Sequence, residues 1–148
     1  MYQGKSIWVL AADASRAKIW MASTPSSPLE LVREMESPEG RMHERDLTSD
    51  FPGRAFDSSG SGRHAMEQEV GPKKAAAIRF SHELAGVLAQ ACNQSVFNKI
   101  YLAAAPSFLG LLRDCCKETL KQCDVIEVDK DYAAMEACEL RSRLPEYL

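Results

Sequence analysis

The polar stretch from Arg41 to Glu67 (RMHERDLTSDFPGRAFDSSGSGRHAME) divides this chain into two parts that follow different periodicities. It holds four arginines, two of the chain's three histidines and a Gly/Ser run, and almost nothing that could build a core. Everything before it reads as strands, and everything after it as helices alternating with strands. A connection of this length inside a compact domain is uncommon, and such segments usually carry function or are disordered. The fold must therefore join a strand meander to crossover units with a long polar excursion between them.

Ser6–Ala12 (SIWVLAA) is short and continuously apolar, as a strand buried on both faces would be. Asp13-Ala14-Ser15 is a polar break. In Arg16–Ala22 (RAKIWMA), Ala17, Ile19 and Met21 alternate with Lys18 and Trp20, so the first two strands pair as a hairpin. Ser23–Pro28 (STPSSP) is a turn, and Leu29–Glu36 (LELVREME) is a third strand with Leu29, Leu31 and Met35 on one side. After the long stretch, Gly71-Pro72 opens a helix, since proline is well suited to a first helical turn. Ala77, Phe80, Leu84, Leu88 and Ala91 recur at helical spacing, with Arg79, Glu83, Gln90 and Asn93 opposite. His82 falls on that polar side and reads as a solvated surface histidine. Lys99–Ala104 is a fourth strand, Pro106 begins a helix with Leu109, Leu112, Cys116 and Leu120 along one stripe, and Asp124–Val128 is a fifth strand. Asp131 is placed to cap a last helix carrying Met135, Cys138 and Leu144 and ending before Pro145.

The order β-β-β-α-β-α-β-α predicts an α/β fold of three layers around a mixed five-stranded sheet, as one domain over residues 1–148 with a long, partly mobile functional loop at about 37–71. Strand direction then places the site. If the first strand runs up, the second runs down, and the third, fourth and fifth run up, because each crossover helix returns the chain. Four strands thus end at one edge of the sheet, the edge outside which ligands of open α/β sheets bind. Asp13, the long loop, Ala105-Pro106 and Asp129 should meet there.

At 148 residues and 45% hydrophobic, the chain can bury a sizeable core without staples. Its net charge of −3 provides no global basic field, so any polyanion contact must come from a local patch. The apolar run Ile7–Ala12 is shorter than the usual core of a secretory signal, and no stretch approaches a membrane span, so the expectation is a cytoplasmic protein without membrane association. Cys92, Cys115, Cys116, Cys123 and Cys138 match no zinc spacing; reduced, mostly buried thiols are expected, with no metal or cofactor.

Arg41, Arg45, Arg54 and Arg63 each present a planar fork of donors suited to phosphate. Glu44, Asp46, Asp50 and Asp57 bring the formal charge between Arg41 and His64 to zero. Arg45 could pair with Asp50, and Arg54 with Asp46 or Asp57. The loop could therefore be folded on itself by ion pairs, or Asp46, Asp50 and Asp57 could orient arginines that contact RNA. His43 and His64 are the two histidines of the loop able to move protons near neutral pH. His64 follows Gly60-Ser61-Gly62, whose backbone amides could approach an anion. As a general base it would still need a nucleophile, and no Ser-His-Asp or Cys-His order is evident. Asp13 and Asp129 invite a two-metal nuclease reading, but aspartates that form turns and caps are ordinary at strand ends. Trp8 and Trp20 sit in strands, where packing is favoured over base stacking.

The segments WVLAADASRAKIW, ESPEGR, ERDLTSD, PGRAFDS, GRHAME, IRFSHELAGVL and APSFLGLLR resemble the bacterial host attachment family, over about Lys5 to Leu144. That family is similar to the middle domain of archaeal and eukaryotic peptide-chain release factors, which implies an RNase H-like fold with a three-strand meander. In release factors the loop after the third strand carries Gly-Gly-Gln. Here it reads Ser59-Gly60-Ser61-Gly62-Arg63-His64, so peptidyl-tRNA hydrolysis is not carried over. Family members often have a basic residue where Phe51 stands, and a histidine where the first long helix here begins Pro72-Lys73-Lys74.

The expectation is an RNA- or ribosome-associated module, more readily a binder than an enzyme, with ribosomal RNA or tRNA as partner. Arg45, Arg54, Arg63 and His64 would be its contacts, with Arg41 and His43 beside them. One alternative is a regulatory factor that binds a protein partner and affects host attachment indirectly. Another is a hydrolase acting on RNA or an ester, for which His64 is the weak catalytic candidate.

Overall fold

The computed structural model describes residues 6–38 and 71–148. Its elements are β1 (Ser6–Ala12), β2 (Arg16–Ala22), β3 (Glu30–Glu36), α1 (Pro72–Asn93), β4 (Phe97–Ala103), α2 (Pro106–Thr119), β5 (Asp124–Val128) and α3 (Ala137–Ser142). The strands form one sheet in the order β3-β2-β1-β4-β5. β1 pairs antiparallel with β2 and β2 antiparallel with β3, while β1–β4 and β4–β5 are parallel. This is the mixed five-stranded sheet expected from the element order, with β1, β3, β4 and β5 all ending at one edge.

β1 is apolar from Ile7 to Ala12 because both of its faces are covered. Trp8, Leu10 and Ala12 point to a core shared with α1 and α2, which also takes Phe80, Leu84, Leu88, Phe108, Leu109 and Leu112. Ile7, Val9 and Ala11 face the opposite side, with Trp20, Tyr101, Leu140, Leu144 and Leu148. Three layers result: two long helices, the sheet, and a thinner cover made by the C-terminal segment. Trp8 stacks on Phe97 with ring centroids 4.9 Å apart, so both tryptophans serve packing, as expected.

The expected face of β3 is wrong in detail. Between Ile19 and Trp20 the register shifts, so that Ile19 faces Arg33 while Trp20 faces Leu31, leaving Val32 as the extra residue of a bulge. A one-residue offset moves side chains to the other face of a sheet. Leu29, just ahead of the strand, is buried with Trp20, whereas Met35 packs against the helix-side core. Leu31 and Val32 are left exposed on this edge strand.

The last helix also departs from expectation. Asp131 Oδ1 accepts the Ala133 N–H at 3.2 Å, and Met135 N–H bonds the Tyr132 carbonyl, so Asp131 shapes a turn and caps no helix. α3 begins at Ala137 and is only six residues long, leaving Met135 and Leu144 outside it. Leu144 and Met135 still pack on the sheet, as their hydrophobicity requires.

The cysteines are not all free. Cys92 at the end of α1 and Cys123 just ahead of β5 are paired as a disulfide, with Cα atoms 7.2 Å apart. Both lie where α1 ends and β5 begins, at the edge opposite the strand C-termini. Cys116 is buried, Cys115 half-buried and Cys138 exposed.

Candidate functional site at the strand C-terminal edge

The edge where β1, β3, β4 and β5 end carries a concavity of about 470 Å³ lined by Ala14, Lys73, Lys74, Ala77, Ser107, Phe108 and Leu111. Three elements build it. The β1–β2 turn contributes Ala14 and is held rigid by Asp13, whose Oδ1 accepts the N–H groups of Ser15 and Arg16 at 2.8 Å and the Ser15 hydroxyl at 3.0 Å. The Ser37 N–H then bonds the Ser15 carbonyl at 2.8 Å, tying the end of β3 to the same turn.

The other two walls are helix starts. α1 follows Gly71 and α2 follows Ala105; both open with proline, and no side-chain hydrogen bond caps either one. Neither helix has an acidic residue in its first turn. Backbone N–H groups of a first turn lack intrahelical partners, and the helix dipole makes such ends favourable for anions. Lys73 and Lys74 add two exposed cations at the rim. The floor is apolar: Phe108 belongs to the core, tilted against Phe80 at 6.1 Å between centroids. The site thus combines positive potential at its rim with an apolar base.

Asp13 has its carboxylate committed to the turn and to Arg16, whose Nε lies 3.5 Å from Oδ2. Asp129 is exposed one residue past β5. Among the described residues no group of three His, Cys, Asp or Glu side chains is arranged to hold a metal ion. Arg41, His43, Arg45, Asp46, Asp50, Arg54, Asp57, Arg63 and His64 lie outside the described residues, as does all of the expected loop except its ends, Ser37, Pro38 and Gly71. Those ends leave from β3 and return at α1, both on this edge.

Sequence reasoning placed Lys73 and Lys74 at a helix start but did not pair them with Ser107 and Phe108, which come from the next crossover. It also left His82 as an isolated surface residue. His82 is exposed, but its Nδ1 lies 3.5 Å from the Sγ of Cys115 on α2. A contact spanning 33 residues between two helices leaves no local signature.

The fold and its edge define a small α/β protein with a lysine-rimmed concavity at the strand C-termini. The chain belongs to the family of proteins required for attachment to host cells, whose profile matches residues 8–144. Two solved structures are similar to it at low identity. One is an archaeal translation termination factor, aRF1, with a TM-score of 0.40 and 15% identity, covering 95% of this chain and 35% of that one. The other is the PilM–PilN type IV pilus biogenesis complex, with a TM-score of 0.45 and 17% identity, covering 96% of this chain and 43% of that one. The chain therefore spans less than half the length of either. No match is found among curated proteins. Among the described residues, no helix is long and apolar enough to cross a membrane.

Proposed function

We propose that this host-attachment family member is a binding module for phosphate-rich RNA, with its surface at the strand C-terminal edge. The observation that carries the reading is the concavity itself. Two uncapped helix starts and the Lys73–Lys74 pair meet at the edge from which the span with Arg41, Arg45, Arg54, Arg63 and His64 departs and to which it returns. Arginine forks and ammonium groups around helix N-termini are the chemistry of phosphate recognition. A chain of net charge −3 needs such a local concentration to hold a polyanion at all.

The reading predicts salt-dependent binding to structured RNA or ribosomes. Each phosphate neutralised should contribute about 0.7–0.9 to the slope of log affinity against log salt. Arg54→Ala and Lys74→Ala should each weaken binding and reduce that slope by about one contact. Absence of binding to both RNA and ribosomes at low salt would sink the proposal.

A second reading is favoured by the apolar floor of Ala14, Ala77, Phe108 and Leu111. That floor suits an inserted apolar side chain of a protein partner, through which the chain would affect attachment indirectly. Capture of a protein that survives nuclease and high salt, and is lost on Leu111→Glu, would support this reading over the first.

A further inference from the structure

We propose that Cys115 is an activated thiol that forms mixed disulfides with small disulfide compounds, His82 serving as its proton acceptor. The pair lies across the α1–α2 layer, one helical turn beyond Leu111 of the concavity. Cys115 is nine residues into α2, about 14 Å along the helix from its start.

Two polar contacts flank the sulfur. His82 Nδ1 is 3.5 Å from Sγ, and Ser81 Oγ is 3.3 Å from it. Ser81 is fully buried, and its hydroxyl donates to the Ile78 carbonyl at 2.7 Å. With its proton on Nε2, His82 presents Nδ1 as an acceptor facing the thiol. After transfer, imidazolium N–H faces the sulfur anion, and the Ser81 hydroxyl can turn from the Ile78 carbonyl to donate to it as well. Two donors from adjacent residues of one helix thus converge on a sulfur held by the other. Nucleophile and base within hydrogen-bond reach is the arrangement that activates cysteine elsewhere.

The other free cysteines provide contrast. Cys116, the next residue, points into the core, and burial pushes its thiol up to about 12, which leaves it inert. Cys138 is exposed on the short α3. Cys115 is half-buried and sits beside the exposed His82, so the sulfur is not sealed in the core.

In the reaction the thiol proton passes to His82 and the sulfur attacks one sulfur of a small disulfide. The new bond forms to Cys115 Sγ as the S–S bond of the reagent breaks. Cys115 is oxidised, the departing half is reduced, and it leaves as a thiol carrying the proton that His82 held. No further oxidant is required.

The test uses the full chain with glutathione disulfide, and separately iodoacetamide, at pH 7, following each cysteine by peptide mass spectrometry. Cys115 should react faster than the more exposed Cys138, an order opposite to that set by accessibility. His82→Gln keeps a polar side chain of similar reach but cannot take the proton. It should slow Cys115 by about three- to tenfold, because no proton acceptor then lies beside the sulfur. Cys138 should be unaffected and so acts as the internal reference for folding. Cys115 reacting no faster than Cys138, or at the same rate in the variant, would overturn the proposal. The wild-type comparison decides the matter even where the variant fails to fold.

Discussion

At the scale of single residues, the side chain that organises most backbone among the described residues is Arg141. Its guanidinium donates to the carbonyls of Ser27 (3.1 Å), Pro25 (3.2 Å), Pro145 (2.7 Å) and Glu146 (2.9 Å). The Leu148 N–H adds a bond to Pro25 at 2.9 Å. One arginine thus clamps the C-terminal segment to the β2–β3 turn and keeps Leu144 and Leu148 over the sheet. Arg141→Ala should cost about 1.5–3 kcal/mol in urea unfolding, the range for hydrogen bonds to a charged group. Arg141→Lys should recover only a minor part, because an ammonium cannot reach four carbonyls in a planar fork. Full recovery by lysine would show that charge alone matters there. None of this was legible in the sequence, where Arg141 is one more charged residue near a terminus. The burial of Trp8, Trp20 and the Leu109–Leu112–Cys116–Leu120 stripe was legible, since apolar side chains at a fixed period have one economical place to go.

At the scale of elements, α2 is joined to β5 by a bidentate pair. Arg113 Nε donates to Glu127 Oε2 at 2.9 Å and Nη2 to Oε1 at 2.7 Å. Hydrogen bonding from Arg113 holds the Glu127 carboxylate below its ordinary range, and the same bond raises Arg113. A carboxylate depressed on folding contributes stability that is present above its unfolded value of about 4.3 and is lost as pH falls through its folded value. Glu127→Gln should therefore be less stable than the parent at pH 7, by a small amount because the pair is solvent-exposed, and the difference should close at pH 3. A difference unchanged between the two pH values in urea titrations would refute this assignment. Elements themselves were mostly readable: β1, β2 and β5 fall where alternation or a short apolar run placed them. β3 and α3 were misjudged because a bulge and an Asp turn are set by neighbours, and a strand or helix period carries no trace of either.

At the scale of the whole molecule, the Cys92–Cys123 pair closes a loop of 31 residues that contains β4 and α2. Cross-linking restricts the unfolded chain, and for a loop of this length reduction should cost up to about 4 kcal/mol on the chain-entropy account. Thiol titration of the denatured, unreduced protein should find three reactive cysteines, and five after reduction. Five before reduction would dismiss the cross-link. The concavity also belongs to this scale, because Ala14, Lys73 and Phe108 come from three separate parts of the chain. By itself the sequence determined the layer order and the edge at which four strands end, because hydrophobic period fixes element type and crossovers fix direction. Only the tertiary structure decided which side chains meet. The lysine-rimmed concavity, the Arg141 clamp and the His82–Cys115 contact each depend on helices and turns brought together by packing, and packing distances are not written in local sequence.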